Sequence, residues 1–515
     1  MKTKKIIEFS IIFVLSLISL LFNYYFGSIG VFPVDTFAHF DSGFSILNGF
    51  LPFRDYWTVS GPIIDLFQSV LFYLFGTNWL AYNLHAGLIN ILLACVSFLF
   101  FKKIKLNLLF SFLLTLSVII LGYSTIGAPF SDYHSAIFSV IATLFLIFNI
   151  LEKNYKYIYW VPIFYFIAFF SKQTPAVYSL ILNLPLIFFT IFYNKDKKFL
   201  IILTIITLSL ICLLFIFLYF SKINLQSFFI QYFLFPSTIG ESRLDLLKID
   251  LINFLNNFKF ILIPLFFMIF LLAKNFKKIL DENVVLIYFY LFSLTSSLIL
   301  HQLLTKNQIF IFFIIPLLFG YIFSQLFILK KYEKVSKIIF IILIFIITCK
   351  YHLRFNIDRK FIELENLNTK NYEDSTKINN KLSGLKWVTP SYNENVLYEI
   401  NLIKESLLYL NKFEGKTIVI TYYQFFSSIL NKNLYSPNRW YTQDGVSYPL
   451  LENKYHDFYK TFYSEKIKNL NLKTIHTIKP LDDKIFKFIF NTECIKTIKI
   501  NDILNEHNIE RCKKN

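Results

Sequence analysis

The sequence predicts a mainly α polytopic membrane protein: about 11 transmembrane helices, interfacial helices in the first external loop, and a small C-terminal extracytoplasmic α/β domain. Three observations predict it. The 515 residues are 56% hydrophobic and only 16% charged, with a mean hydropathy of +0.54. A soluble domain averages about 45–50% apolar and roughly 25% charged residues, so a soluble enzyme and a disordered chain are both excluded. Eleven apolar runs approach the ~20 residues that cross a ~30 Å hydrocarbon core. Finally, lysines cluster in every second turn between those runs, which gives the chain a direction.

The runs lie near Ile6–Phe26, Trp79–Phe101, Leu106–Tyr123, Ala136–Leu151, Tyr157–Phe170, Pro175–Tyr193, Phe199–Phe220, Ile252–Ala273, Val284–Leu300, Ile309–Leu329 and Val335–Cys349. The fifth and the last are short. Pro62–Gly76 is apolar but carries Asp65 and Gln68, and suits an amphipathic helix lying in the interface. With the N-terminus cytoplasmic, 18 of the 26 basic residues through position 350 fall inside, and counting Pro62–Gly76 as a span would destroy that pattern. The setting is the inner (plasma) membrane. The net charge of +18 is largely these lysine clusters, so it implies no nucleic-acid partner.

An odd number of spans puts the tail outside. The chain divides into a transmembrane domain, 1–350, and an extracytoplasmic α/β domain, 351–515. In the tail, TIVITYY leads as a strand into the helical QFFSSILNKN, FKFIF and CIKTIKI read as further strands, and NVLYEINLIKESLLYLNKF has helical spacing. Cys494 and Cys512 both fall there, where an oxidising compartment permits a disulfide. Cys95, Cys212 and Cys349 lie in or at the ends of spans, where a small apolar packing role is the default.

Candidate chemistry gathers in two external segments. The first holds Asp35, His39, Asp41, Arg54 and Asp55; the second, FSDYHS, holds Asp132 and His134 at the outer end of the third span. Carboxylates at a membrane boundary are costly unless solvated or paired, so they mark sites. Asp35 after the first span, then LNGFLPFRDYW and a GP opening an apolar helix, resembles the GT-C membrane glycosyltransferases. Within that group it is most similar to the bacterial branch related to the protein mannosyltransferases and the lipid A aminoarabinose transferase. Asp132, SKQTP (Ser171–Pro175) and TKNQIFIFFIIPLL (Thr305–Leu318) extend the resemblance over roughly the first 350 residues.

The resemblance implies transfer of a sugar from a polyprenyl-phosphate donor to a glycan, lipid or protein acceptor on the extracytoplasmic face. Asp35 would be the base or would orient the acceptor hydroxyl, Asp132 would hold the acceptor or share a metal site, and His39, Asp55 and His134 would add substrate contacts. Arg54, Lys172, Arg243 and Lys306 are the external cations available to clamp the lipid phosphate. Relatives carry a Lys before the Pro of the second interfacial helix, where this chain reads TVSGP. They often carry Arg-Tyr before the tenth span, where Asn307 and Gln308 stand. TIGE (Thr238–Glu241) resembles a motif of the metal-using oligosaccharyltransferases, and makes Asp35, Asp132, His134 and Glu241 a candidate donor set for a divalent cation, Mg or Mn. SPNRWYTQDGVSYP (Ser436–Pro449) suits either carbohydrate or an ordinary loop under a cap. A surface-polysaccharide polymerase or ligase, and a non-enzymatic lipid-linked sugar flippase or transporter, are the alternatives. The first usually has a large loop between late spans, and the second has internal repeats and mid-span charges.

Overall fold

The computed structural model describes residues 2–514 apart from 194–196, 275–281, 306–310, 330–332, 368–370, 443 and 480–491. Backbone amides in hydrocarbon must find partners within their own segment, so long apolar runs fold as helices. Each of the eleven runs has one. α1 (Lys2–Gly27) leads into the first long loop with α2 (Pro33–Thr36), α3 (Phe40–Leu47) and α4 (Ile63–Phe75). Then come α5 (Trp79–Lys103), α6 (Leu108–Leu121), α7 (Ser131–Glu152), α8 (Trp160–Ser171), α9 (Gln173–Tyr193) and α10 (Lys197–Phe220). Outside the bundle α11 (Leu225–Phe229) and α12 (Phe235–Asp245) precede α13 (Leu251–Lys274), α14 (Glu282–Thr305), α15 (Ile315–Leu329) and α16 (Glu333–His352).

Among the described residues nine of these helices are long and apolar enough to cross a membrane; α8 and α15 are not among them. The 12 residues of α8 reach about 18 Å at ~1.5 Å per residue, short of the hydrocarbon thickness. The last span, read as short, is a full 20-residue helix instead. α7 is the central helix, with 89% of its apolar window buried against 11% for the peripheral α10. α4 is amphipathic with its polar side inward: Asp65 and Gln68 are fully buried, while Val70, Tyr73, Leu74 and Phe75 face out. Such a helix presents hydrocarbon to lipid and its polar atoms to the protein.

The tail builds a short pair, β1 (Glu373–Asp374) and β2 (Lys386–Trp387), then α17 (Val396–Lys412), β3 (Thr417–Thr421), α18 (Phe426–Leu430) and α19 (His456–Asn469). β4 (Thr474–Ile478), β5 (Lys496–Lys499) and β6 (Leu504–Asn508) complete it. The sheet order is β3-β4-β6-β5; β3 and β4 run parallel across the α18–α19 crossover, and the other pairs are antiparallel. The predicted strand FKFIF lies outside the described residues. Cys494 and Cys512 are disulfide-bonded, tying together the two ends of the β5–β6 hairpin.

This domain is woven into the first loop. The Ser28 carbonyl accepts from Lys386 N–H, Val31 N–H donates to Val388, and Trp57 N–H donates 2.7 Å to Pro437. Asp41 accepts from the Ser427 and Ser428 amides and from the Ser428 hydroxyl, capping α18 from the other domain. The buried Arg359 donates to the carbonyls of Ile29, Ser124, Thr125 and Ile126. All those acceptors belong to loops at the end of the bundle that meets the tail, so this one guanidinium fixes where the tail leaves it.

Candidate active site

On the side of the C-terminal domain, the ends of α7, α9, α12 and α14 surround a cavity of about 410 Å³. Its polar wall carries Ser131, Lys172, Arg243 and His301; its apolar wall carries Phe169, Tyr232, Phe233 and Trp440. Asp132, in the first turn of α7, anchors the polar wall. Lys172 Nζ donates to Asp132 Oδ2 at 2.6 Å, and His301 Nε2 donates to Oδ1 at 2.8 Å. The carboxylate neutralises one cation and fixes the imidazole, leaving Arg243 without an acidic partner among the described residues. Lysine and arginine facing an apolar pocket at a membrane boundary suit a phosphate.

Beyond Phe169 and Phe233, which line both spaces, lies a larger groove of about 600 Å³ between α8, α9 and α10. Nearly all of its lining is aliphatic or aromatic, including Phe166, Leu184, Phe188, Leu208 and Ile211. Space of this kind takes a hydrocarbon tail.

Asp35 sits in α2, partly accessible, and its carboxylate has no hydrogen-bond partner among the described residues. Burial first, then the charges of Glu363 and Asp132, push it up to about 7 against the pull of Lys172. A carboxylate poised near neutrality and left unpaired can take a proton from a bound hydroxyl. Asp35, Asp132 and Lys172 thus share one electrostatic neighbourhood, and Lys172 and Arg243 line the same cavity.

Other expectations need correction. Arg54 is not on the cavity: it pairs with Asp55 at 2.6 Å and donates to the Ser221 and Gly49 carbonyls, while Asp55 also accepts the Leu51 amide. Both residues staple the loop, because the chain turns there and its carbonyls need donors. His134 is turned into the bundle, bonded to Tyr123 and to His85 at 2.9 Å. Glu241 is exposed on α12. The proposed cation set is therefore not assembled: Asp132 is taken by Lys172 and His301, His134 faces away, and among the described residues no three His, Cys, Asp or Glu side chains converge. Lys306 lies outside the described residues. His39 is near the cavity but bonds Asp65 and Ser131.

The TVSGP departure has a physical reason. Gly61 N–H donates to the Ser171 carbonyl, and a Cβ at Gly61 would lie 1.8 Å from the Phe170 carbonyl oxygen. No lysine fits at that crossing. Asp65, Ser131, His301 and Arg439 are the polar groups that sequence reasoning missed. His301 had a signal, a histidine and a glutamine closing an otherwise apolar span. The loop Ser436–Pro449 is more than a cover: Asn438 and Arg439 are buried and Trp440 and Val446 line the cavity. Inside the bundle the polar network is neutral, with Asn183 donating to Tyr165 and Thr143 and accepting from Ser293.

No family model matches the chain, and no curated protein does. Among solved structures the chain is similar to the Archaeoglobus fulgidus oligosaccharyltransferase in complex with zinc and sulfate. Identity is 10%, the TM-score 0.41, and the match covers 91% of this chain and 68% of that one.

Proposed function

We propose that this protein is an integral-membrane glycosyltransferase that moves a sugar from a polyprenyl-phosphate donor to a glycan, lipid or protein acceptor on the extracytoplasmic face. The observation that carries the reading is the pairing of two adjoining spaces. One is cation-lined and sized for a phosphate and a sugar; the other is apolar and sized for an isoprenoid tail. A lipid-linked phosphosugar needs both at once, side by side at a membrane boundary.

In this reading Asp35 accepts the proton of the acceptor hydroxyl as its oxygen attacks the anomeric carbon. The bond from that carbon to the phosphate oxygen breaks on the opposite face, and Lys172 and Arg243 take up the charge that develops on the leaving phosphate. Asp132 holds Lys172 and His301 in place. The neutral mid-bundle network and the charged outer cavity support chemistry at the external face over passage of a charged headgroup through the bundle.

The test is Asp35→Asn followed by glycan analysis of the host envelope. Loss of the glycans that a knockout also loses is the expected outcome. Unchanged glycans, with the variant at normal membrane levels and a knockout that does alter them, would remove Asp35 from the role of base.

A further inference from the structure

The cation-lined wall also carries an array that has no part in the proposed sugar transfer. Ser131 opens α7 and faces the cavity, with its Oγ 3.2 Å from His39 Nε2. The other ring nitrogen, His39 Nδ1, lies 2.6 Å from Asp65 Oδ1. His39 is 1% exposed and Asp65 0%, so water does not compete for either contact. These three residues come from α7, the turn before α3, and α4; no sequence spacing announces them.

The remaining bonds settle the roles. Asp65 also accepts from Ser42 at 2.7 Å and Tyr56 at 3.2 Å, and Arg439 Nη1 stands 3.7 Å from its Oδ2. Burial alone would raise the Asp65 carboxyl, but Arg439 and His39 outweigh it and hold it below the ordinary carboxylate range. Burial, then the Arg439 charge, lower the basicity of His39, so its ring is neutral at pH 7. With a carboxylate against Nδ1, the ring proton belongs there, and Nε2 presents its lone pair to the Ser131 hydroxyl. The order carboxylate, imidazole, hydroxyl, cavity is the geometry that activates a serine.

We propose that Ser131, His39 and Asp65 form a nucleophilic relay that cleaves a carboxylic ester held in the cavity. Ser131 Oγ bonds to the carbonyl carbon as its proton passes to His39 Nε2. Collapse of the tetrahedral adduct breaks the bond to the alcohol oxygen, which leaves with that proton. Water then enters by the same sequence, releasing a carboxylic acid and restoring the serine, so ester and water become acid and alcohol. The adduct's oxyanion meets the N-terminus of α7, where the cap residue Phe130 supplies no side-chain bond to the first amides. The phenyl rings of Phe169 and Phe233 suit an acyl chain and limit water at the adduct.

The experiment uses the full chain purified in detergent and an alkyl fluorophosphonate, which phosphonylates activated serines. Wild-type protein is expected to label at one site, mapped by mass spectrometry to the peptide holding Ser131, and Ser131→Ala to lose the label. Asp65→Asn and His39→Gln should slow labelling by about 100-fold or more. Ser209→Ala, at an exposed serine bonded to its own helix α10 and away from the cavity, should label as wild type. Asp35→Asn should label normally while losing sugar transfer, which separates this relay from the glycosyltransfer reading. Failure of folded wild-type protein to label, or labelling that survives Ser131→Ala, would overturn the relay. Ser131→Ala removes one oxygen atom and its melting temperature can be compared directly, so this outcome decides even if the His39 variant does not fold.

Discussion

Asp35 and Asp41 stand on consecutive short helices of the same loop, yet they do opposite work. Asp41 is saturated: two amides and a hydroxyl of α18 converge on it, and the two domains are joined as a result. Asp35 meets no donor among the described residues and faces two other carboxylates within electrostatic reach. Burial raises both, to about 6 for Asp41 and about 7 for Asp35, but only Asp41 has hydrogen bonds pulling it back. A carboxylate whose donors are all supplied by the protein holds the fold. One left without donors, within electrostatic reach of the cavity's Lys172, is available to a ligand.

The largest effect that would sharpen this contrast is on activity. Asp35→Asn should reduce sugar transfer by about 100- to 10,000-fold, the range for removing a general base, while leaving membrane levels intact. Arg359→Ala should do the reverse, costing roughly 3 kcal/mol or more of stability because four buried carbonyls lose their donor. Thermal unfolding in detergent measures it, and a melting point equal to wild type would break the assignment of Arg359 as the clasp between domains.

Smaller effects follow for the residues between these extremes. Lys172→Met should weaken donor use by about 10- to 100-fold, read as a rise in donor KM, the worth of one charge-assisted bond. Asp41→Asn should lower stability by about 1–2 kcal/mol with transfer rates unchanged. The finest test is pH. Asp35 must be ionised to accept a proton, so transfer should rise about tenfold per unit up to about pH 7 and then level. Its folded carboxyl holds a proton where the unfolded one, near 3.8, has lost it. Between about pH 4 and 7 its contribution to stability therefore falls as pH rises. Asp35→Asn should gain on wild type in melting temperature at pH 8 and not at pH 4.

The sequence made the spans legible because each is a continuous apolar run, and it marked Asp35, Asp132 and Lys172 because each is a charge at the outer end of such a run. It misjudged Arg54, since sidedness says a cation is external but not which carbonyls the turning loop will offer it. It gathered a cation set from donor types alone, and the helical direction of α7 sends His134 inward toward His85 while Asp132 backs the cavity's Lys172 and His301. Asp65 and Arg439 were hidden for another reason. They meet only because β2 and the Ser436–Pro449 loop join the first external loop, a contact between segments hundreds of residues apart.

The central claim is that the cation-lined cavity and the adjoining apolar groove together hold a polyprenyl phosphate. A polyprenyl phosphate bearing a photoreactive diazirine in its tail tests this directly in reconstituted membranes. Crosslinks should map to the groove at Leu184, Leu208 and Ile211, and a Lys172→Met, Arg243→Gln double variant should lose them. Crosslinks spread over the bundle's outer surface, undiminished in that variant, would contradict the account.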